Sequence, residues 1–169
     1  MKTLNENVKS LFFTDDGKIP NHPAWPVLLY VGALKDVPED ALNVFEVNGW
    51  SNGWENGVFD YHHYHSNTHE VLAVISGEAV IQLGGEEGIP VEISEGDVMI
   101  LPAGTGHKKL SASEDFKAAG AYPNGMEHDL KKGNADERPE VLDNIMLVPY
   151  PDTDPIFGKE GPLFEIWKS

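Results

Sequence analysis

"FDYHHYHSNTHEVLAVISGE", residues 59–78, places four of the seven histidines, His62, His63, His65 and His69, within eight positions and follows them directly with Glu70. Read as an extended strand, Phe59, Tyr61, His63 and His65 share one face, while Asp60, His62 and Tyr64 share the other. His63 and His65 then project together, about 6–7 Å apart at their Cα atoms, so both imidazoles can reach one ion. His62 points away from them. "SNT" at 66–68 is turn material, after which a second strand begins near His69. On that strand either His69 or Glu70 faces the ion, and alternation alone leaves the choice open.

Outward from this stretch, the 17 glycines and 12 prolines are scattered and separate short runs of Val, Ile, Leu and aromatic residues. The clearest such strands are 26–34, 71–76, 78–85, 89–94, 97–103 and 115–122. Their spacing of about 8–12 residues predicts an all-β sandwich or barrel. A helix is expected from Pro38 to Gly49, with Asp36, Glu39 and Asp40 at its positive end and Leu42 and Phe45 at helical spacing. A second short helix is expected over Pro139–Met146, where Val141, Leu142 and Ile145 form an apolar stripe. The tail after it is rich in proline and expected to be irregular, yet its Ile, Phe, Leu and Trp residues should pin it to the body. "VLAVIS" is apolar on both faces, so its outer face must be covered by the terminal extensions or by a second subunit. A homodimer is the commonest closed arrangement and the one expected.

With 169 residues the chain has room for a single domain around one core. The barrel is placed at about 55–122, between an N-terminal extension (1–54) and a C-terminal one (123–169). Twelve Lys and Arg against 28 Asp and Glu give a net charge of -16, which would repel nucleic-acid phosphates and anionic membranes. No cysteine occurs, which excludes disulfides, thiolate nucleophiles and Cys-type zinc sites and leaves His, carboxylate and water as metal ligands. No run has the length of a signal peptide or membrane span, so a cytoplasmic location is expected.

Residues 57–77 run Gly57, five residues, His63-x-His65, four residues, Glu70, six residues, Gly77. Residues 96–111 run Gly96, five residues, Pro102-x-Gly104, two residues, His107, then Ser111 after three more. This pair of motifs resembles the two motifs of the cupin superfamily, with Ser111 in place of the usual final Asn. "HHYHSNTHEVLAVISGEA", "LPAGTGH" and "GAYP" resemble in particular the small bacterial YjlB-like single-domain cupins. The resemblance implies an RmlC-like double-stranded β-helix, or jelly-roll barrel. It also implies His63, His65, Glu70 and His107 as metal ligands, which would leave His69 facing outward from the ion or standing just behind its ligands. Three imidazoles and a carboxylate suit a divalent first-row ion such as Fe, Mn, Ni, Cu or Zn.

Two functional readings follow. In one, the metal serves a dioxygenase- or isomerase-type enzyme acting on a small oxygen-bearing molecule. In the other, the barrel binds or senses a small ligand and its metal is structural. Beyond the ligands, Tyr61, Gln82 and Lys109 are weak candidates for lining the pocket and assisting catalysis. His22 and His128 are expected on the surface, and Trp25, Trp50, Trp54 and Trp167 are expected to cap the core or a subunit interface.

Overall fold

A computed structural model describes residues 7–169; the first six residues of the expected N-terminal extension lie outside it. Among the described residues, six strands form one antiparallel sheet in the order β1 (Val8–Leu11), β2 (Val27–Tyr30), β7 (Val98–Leu101), β4 (Glu70–Ser76), β9 (Lys117–Pro123), β3 (Trp50–Asn56). Three more, β6 (Ile89–Ser94), β5 (Glu78–Leu83) and β8 (His107–Ala112), form a second antiparallel sheet. The two sheets are the walls of a jelly-roll barrel.

The six runs read as strands correspond to β2, β4, β5, β6, β7 and β9. β1, β3 and β8 were not among them. β3 is "WSNGWEN", polar and interrupted by glycine, so its own composition reads as a loop. It becomes a strand by pairing with β9, across a register shift between Ser51 and Trp54 where Asn52 takes a positive φ of 59°.

Alternation sorts the large sheet into two buried layers. Val27, Leu29, Leu72, Val74, Met99 and Leu101 point inward against Ile81, Leu83 and Ile93 of the small sheet. Leu28, Tyr30, Val71, Ala73, Val98 and Ile100 point outward and lie under Phe45, Trp50, Leu163 and Trp167. The outer face of "VLAVIS" is therefore covered, as its composition requires, and the cover is the chain's own extensions. The apolar face that suggested a second subunit is accounted for without one.

The first helix runs over α1 (Ala41–Val47), after a single turn of 3-10 helix at Pro38–Asp40, and stops at Gly49 with φ 82°. α2 (Glu140–Leu147) buries Val141 and Ile145. The tail is less irregular than expected, because α3 (Pro162–Ile166) starts with Pro162 in its first turn, where a missing N–H costs no helical hydrogen bond. Polar contacts fasten it: the Trp167 indole donates to the Pro26 carbonyl at 2.8 Å, and the Tyr30 hydroxyl donates to buried Asp154 at 2.5 Å.

"AGTGH", just before β8, shows how local sequence positions the site. Gly104 has φ 89°, and a Cβ there would stand 2.9 Å from the Asn21 carbonyl oxygen, so only glycine fits the bend. The Gly106 N–H donates to the Asn21 side chain at 3.0 Å, and β8 opens one residue later at His107.

Candidate metal centre

His107 is the first residue of β8 in the small sheet, and Glu70 is the first residue of β4 in the large one. His63 and His65 lie between β3 and β4, on a segment that departs from the strand expected from Phe59. A bend at Asp60 and Tyr61 interrupts it, and pairing shrinks to single bridges of His63 with His107 and Tyr64 with Lys131. The bridge to His107 has both hydrogen bonds, at 2.9 and 3.2 Å. The shared orientation survives this irregularity, with the His63 and His65 rings 5.9 Å apart and His63 4.0 Å from His107. Ligand-capable atoms of His63, His65 and His107 all lie within 4.8 Å of one another.

Each of the three rings is held from behind. Nδ1 of His63 meets the Tyr61 carbonyl at 3.0 Å, Nδ1 of His107 the Thr105 carbonyl at 3.1 Å, and Nδ1 of His65 the Asp129 carbonyl. A carbonyl only accepts, so Nδ1 carries the hydrogen in all three. Nε2 is thereby left as a free lone pair, the arrangement in which backbone carbonyls orient metal-binding histidines.

Glu70 completes the cluster. Its Oε1 is buried without a hydrogen bond, 3.6 Å from Nε2 of His65 and 3.4 Å from Nε2 of His107. A buried carboxylate oxygen in that state costs several kcal/mol of order unless a cation meets it. Burial alone would raise the Glu70 pKa, but the imidazoles of His65 and His107 outweigh it and hold the carboxyl well below its ordinary range. Burial opposes charge on His65 as well, yet the Glu70 carboxylate prevails and raises its pKa. His63 is pushed down to about 2 by burial and by His107 beside it, so it stays neutral. The cluster thus gathers imidazole nitrogens and an anionic oxygen around one point, a donor set that fits a divalent ion in competition with the proton that Glu70 favours on His65.

The other histidines are used differently. His69 is fully buried on the opposite face of the large sheet; its Nδ1 accepts the Ala103 N–H at 2.9 Å and its Nε2 donates to the Pro149 carbonyl at 3.0 Å. Both nitrogens are spent. His62 is half-buried and outside the cluster. His22, expected on the surface, is only 6% exposed: it stacks on Trp25 at 4.5 Å, and its Nδ1 accepts the N–H groups of Ala24 and Trp25. His128 is exposed as expected, but it stands at the site, 4.8 Å from the His65 ring and stacked on Tyr122 at 4.6 Å.

A cavity of about 350 Å³ opens onto His63, His65, Glu70 and His107, with walls from Trp54, Val58, Phe59, Leu72, Tyr122 and His128. Trp54 packs against the inner core cluster, as expected, and also faces the cavity. Gly120 makes room for it, since a Cβ at that position would lie 2.4 Å from the indole ring. The Trp54 N–H donates to the Tyr122 hydroxyl at 2.9 Å. Burial and the nearby Glu70 carboxylate raise the Tyr122 phenol far above its ordinary pKa, so it keeps its proton.

Tyr61, Gln82 and Lys109 are not in this lining. Tyr61 stacks on Phe59 at 5.0 Å and lies under the Lys132 ammonium, the Gln82 amide donates to the Gly85 carbonyl at 2.9 Å, and Lys109 pairs with Ile81 along β8. Ser111 is exposed beside the β5–β8 register shift, away from the site. The residues missed by sequence reasoning are Trp54, Tyr122, His128 and Asp129, three of them supplied by β9 and the loop after it.

The sequence profile of the cupin domain matches residues 54–118. Over 164 residues the chain is 50% identical to the Bacillus subtilis (strain 168) protein described as "Uncharacterized protein YjlB", covering 97% of this chain and 99% of that one. The chain is a YjlB-like cupin. Among solved structures, this cupin is similar to the WlaRB TDP-quinovose 3,4-ketoisomerase of Campylobacter jejuni, at 18% identity over 56% of this chain and 75% of that one, with a TM-score of 0.43. It is also similar to the acireductone dioxygenase of Bacillus anthracis with a cadmium ion in its active centre, at 19% identity over 56% of this chain and 63% of that one, with a TM-score of 0.39. No helix among the described residues of the cupin is long and apolar enough to cross a membrane.

Proposed function

We propose that this cupin is a metal-dependent enzyme of the dioxygenase or isomerase type, acting on a small oxygen-bearing molecule, with His63, His65, Glu70 and His107 as the ligands of a divalent first-row ion. The observation that supports it is the cavity of about 350 Å³, which reaches all four ligands and leaves room for a molecule beside them. When bound, the ion would supply Lewis acidity and, if redox-active, electron transfer. The chain's own contributions are separable from that. Val58 and Leu72, both buried, give one side of the cavity an apolar wall that excludes water. The Tyr122 oxygen already accepts from Trp54, so its own O–H is free to donate toward Glu70 or an oxygen of the substrate.

The reading of the metal as purely structural calls for a closed coordination sphere. Cobalt(II)-substituted protein titrated with azide separates the two. A saturable shift of the visible bands is expected for a position open to the cavity; bands indifferent to azide would sink the enzymatic reading.

A further inference from the structure

Asparagine is followed by glycine at Asn48–Gly49, Asn52–Gly53 and Asn56–Gly57, in and beside β3, and again at Asn124–Gly125 in the loop after β9. Such a pair can react without an enzyme, because glycine has no Cβ to stop its backbone nitrogen from folding back onto the asparagine carboxamide. Whether it reacts depends on what holds the two groups.

Three of the pairs are held. The Asn48 side chain donates to the Val44 and Pro155 carbonyls at 3.0 and 2.9 Å, and the Gly49 N–H to the Glu46 carbonyl at 3.0 Å. Gly125 spends its N–H in a turn, on the Tyr122 carbonyl at 3.1 Å. Asn52 donates to the Met126 carbonyl at 3.4 Å, and Gly53 is hemmed in, since a Cβ there would lie 2.7 Å from the Leu42 side chain. These bonds and contacts must give before a ring can close.

Asn56–Gly57 is arranged differently. β3 ends at Asn56, both residues are exposed, and a Cβ placed on Gly57 would meet nothing within 4 Å. The Gly57 N–H donates to Oδ1 of Asn56 at 2.9 Å, so the nitrogen already lies against the carboxamide it would attack. Asn56 also belongs to the cavity lining, and its register partner on β9, Ala118, lies in the inner core layer.

We propose that Asn56–Gly57 is a self-modification site, which converts Asn56 to aspartate or isoaspartate ahead of the other three pairs and so places a carboxylate at the cavity mouth. The Gly57 nitrogen gives its proton to water or hydroxide and bonds to Cγ of Asn56. The Cγ–Nδ2 bond breaks, and Nδ2 takes up a proton and leaves as ammonia. One water molecule then opens the five-membered succinimide, at Cγ to give aspartate or at the Asn56 main-chain carbonyl to give isoaspartate. Nothing is oxidised or reduced. Isoaspartate also routes the main chain through the former side chain, which adds one methylene to the segment leading to His63.

The test incubates the untagged full chain in mildly alkaline buffer, folded and in urea, and follows it by anion exchange and by peptide mass mapping. In the folded protein the acid is expected to accumulate at Asn56 at least about tenfold faster than at Asn48, Asn52 or Asn124, well within what the placement of reacting groups is worth. A form with one more negative charge should appear at the same rate. In urea the four rates should converge, and Asn56→Gln, whose longer side chain would have to close a six-membered ring, should suppress the new form in folded protein. Equal rates in the folded protein, a lead by another pair, the same lead of Asn56 in urea, or an Asn56 that stays intact while the unfolded chain reacts would each overturn the inference.

Discussion

His69→Asn in chelator-treated protein distinguishes a histidine used for structure from the histidines used for the site. His69 accepts the Ala103 N–H through Nδ1, so a proton can enter only by breaking that bond inside the core. Burial holds its pKa down to about 3, against 6.5 when exposed. Between those values the unfolded chain binds a proton that the folded chain refuses, so stability rises with pH and is lost as pH falls from 6.5 toward 3. The slope is about 1.4 kcal/mol per pH unit, or about 2 kcal/mol by about pH 5. Asn can still accept from Ala103 and cannot titrate, although losing the bond to Pro149 lowers stability at every pH by about 1–3 kcal/mol. Urea unfolding of both proteins from about pH 7.5 to 5 should therefore show the wild type losing about 2 kcal/mol more than the variant. His22 and His63 titrate alike in both and cancel in the difference. Parallel stability curves would refute the reasoning, because they would mean that His69 takes up its proton in the folded state.

Two further substitutions probe the support behind the site. Asp129 accepts from the Ser66 N–H at 2.7 Å and the Ser66 hydroxyl at 2.5 Å, and its carbonyl orients His65. Asp129→Ala leaves the proposed ligands in place and is expected to weaken metal binding about 10- to 100-fold, read by competition with a chromophoric chelator. In Gly120→Ala the new methyl meets Trp54, and a loss of about 1–3 kcal/mol in urea unfolding is expected together with a change in tryptophan emission.

What could be read from the sequence was what local spacing encodes. The separation of His63 from His65, the glycines around "AGTGH" and the apolar alternation of "VLAVIS" all act within a few residues, and each led to the fold or to the cluster. β3 could not be read that way, because "WSNGWEN" is a strand only by virtue of its partner β9. The choice between His69 and Glu70 depended on chain parity across a turn, and the resemblance to cupins supplied it before geometry did. His22 was misplaced because burial of a polar ring depends on partners it meets in the fold, here Trp25 and the N–H groups of its own turn. Asp129 orients His65 through a backbone carbonyl that its side chain holds in place by accepting from Ser66, a tie over more than sixty residues that local spacing does not encode. Tyr61, which shares the strand parity of His63, and Gln82 and Lys109 were named as pocket-lining candidates, while the cavity wall opposite the histidines comes from β3, β9 and the following loop.

The central claim is that His63, His65, Glu70 and His107 hold one ion and that the neighbouring His62 and His69 do not. Elemental analysis of untagged wild type, His62→Ala, His63→Ala, His107→Ala and Glu70→Gln tests it in one series. The account predicts about one ion per chain in wild type and His62→Ala, and strong loss in the other three with the barrel still folded by circular dichroism. Equal metal content in all five, or loss in His62→Ala as large as in His63→Ala, would contradict it.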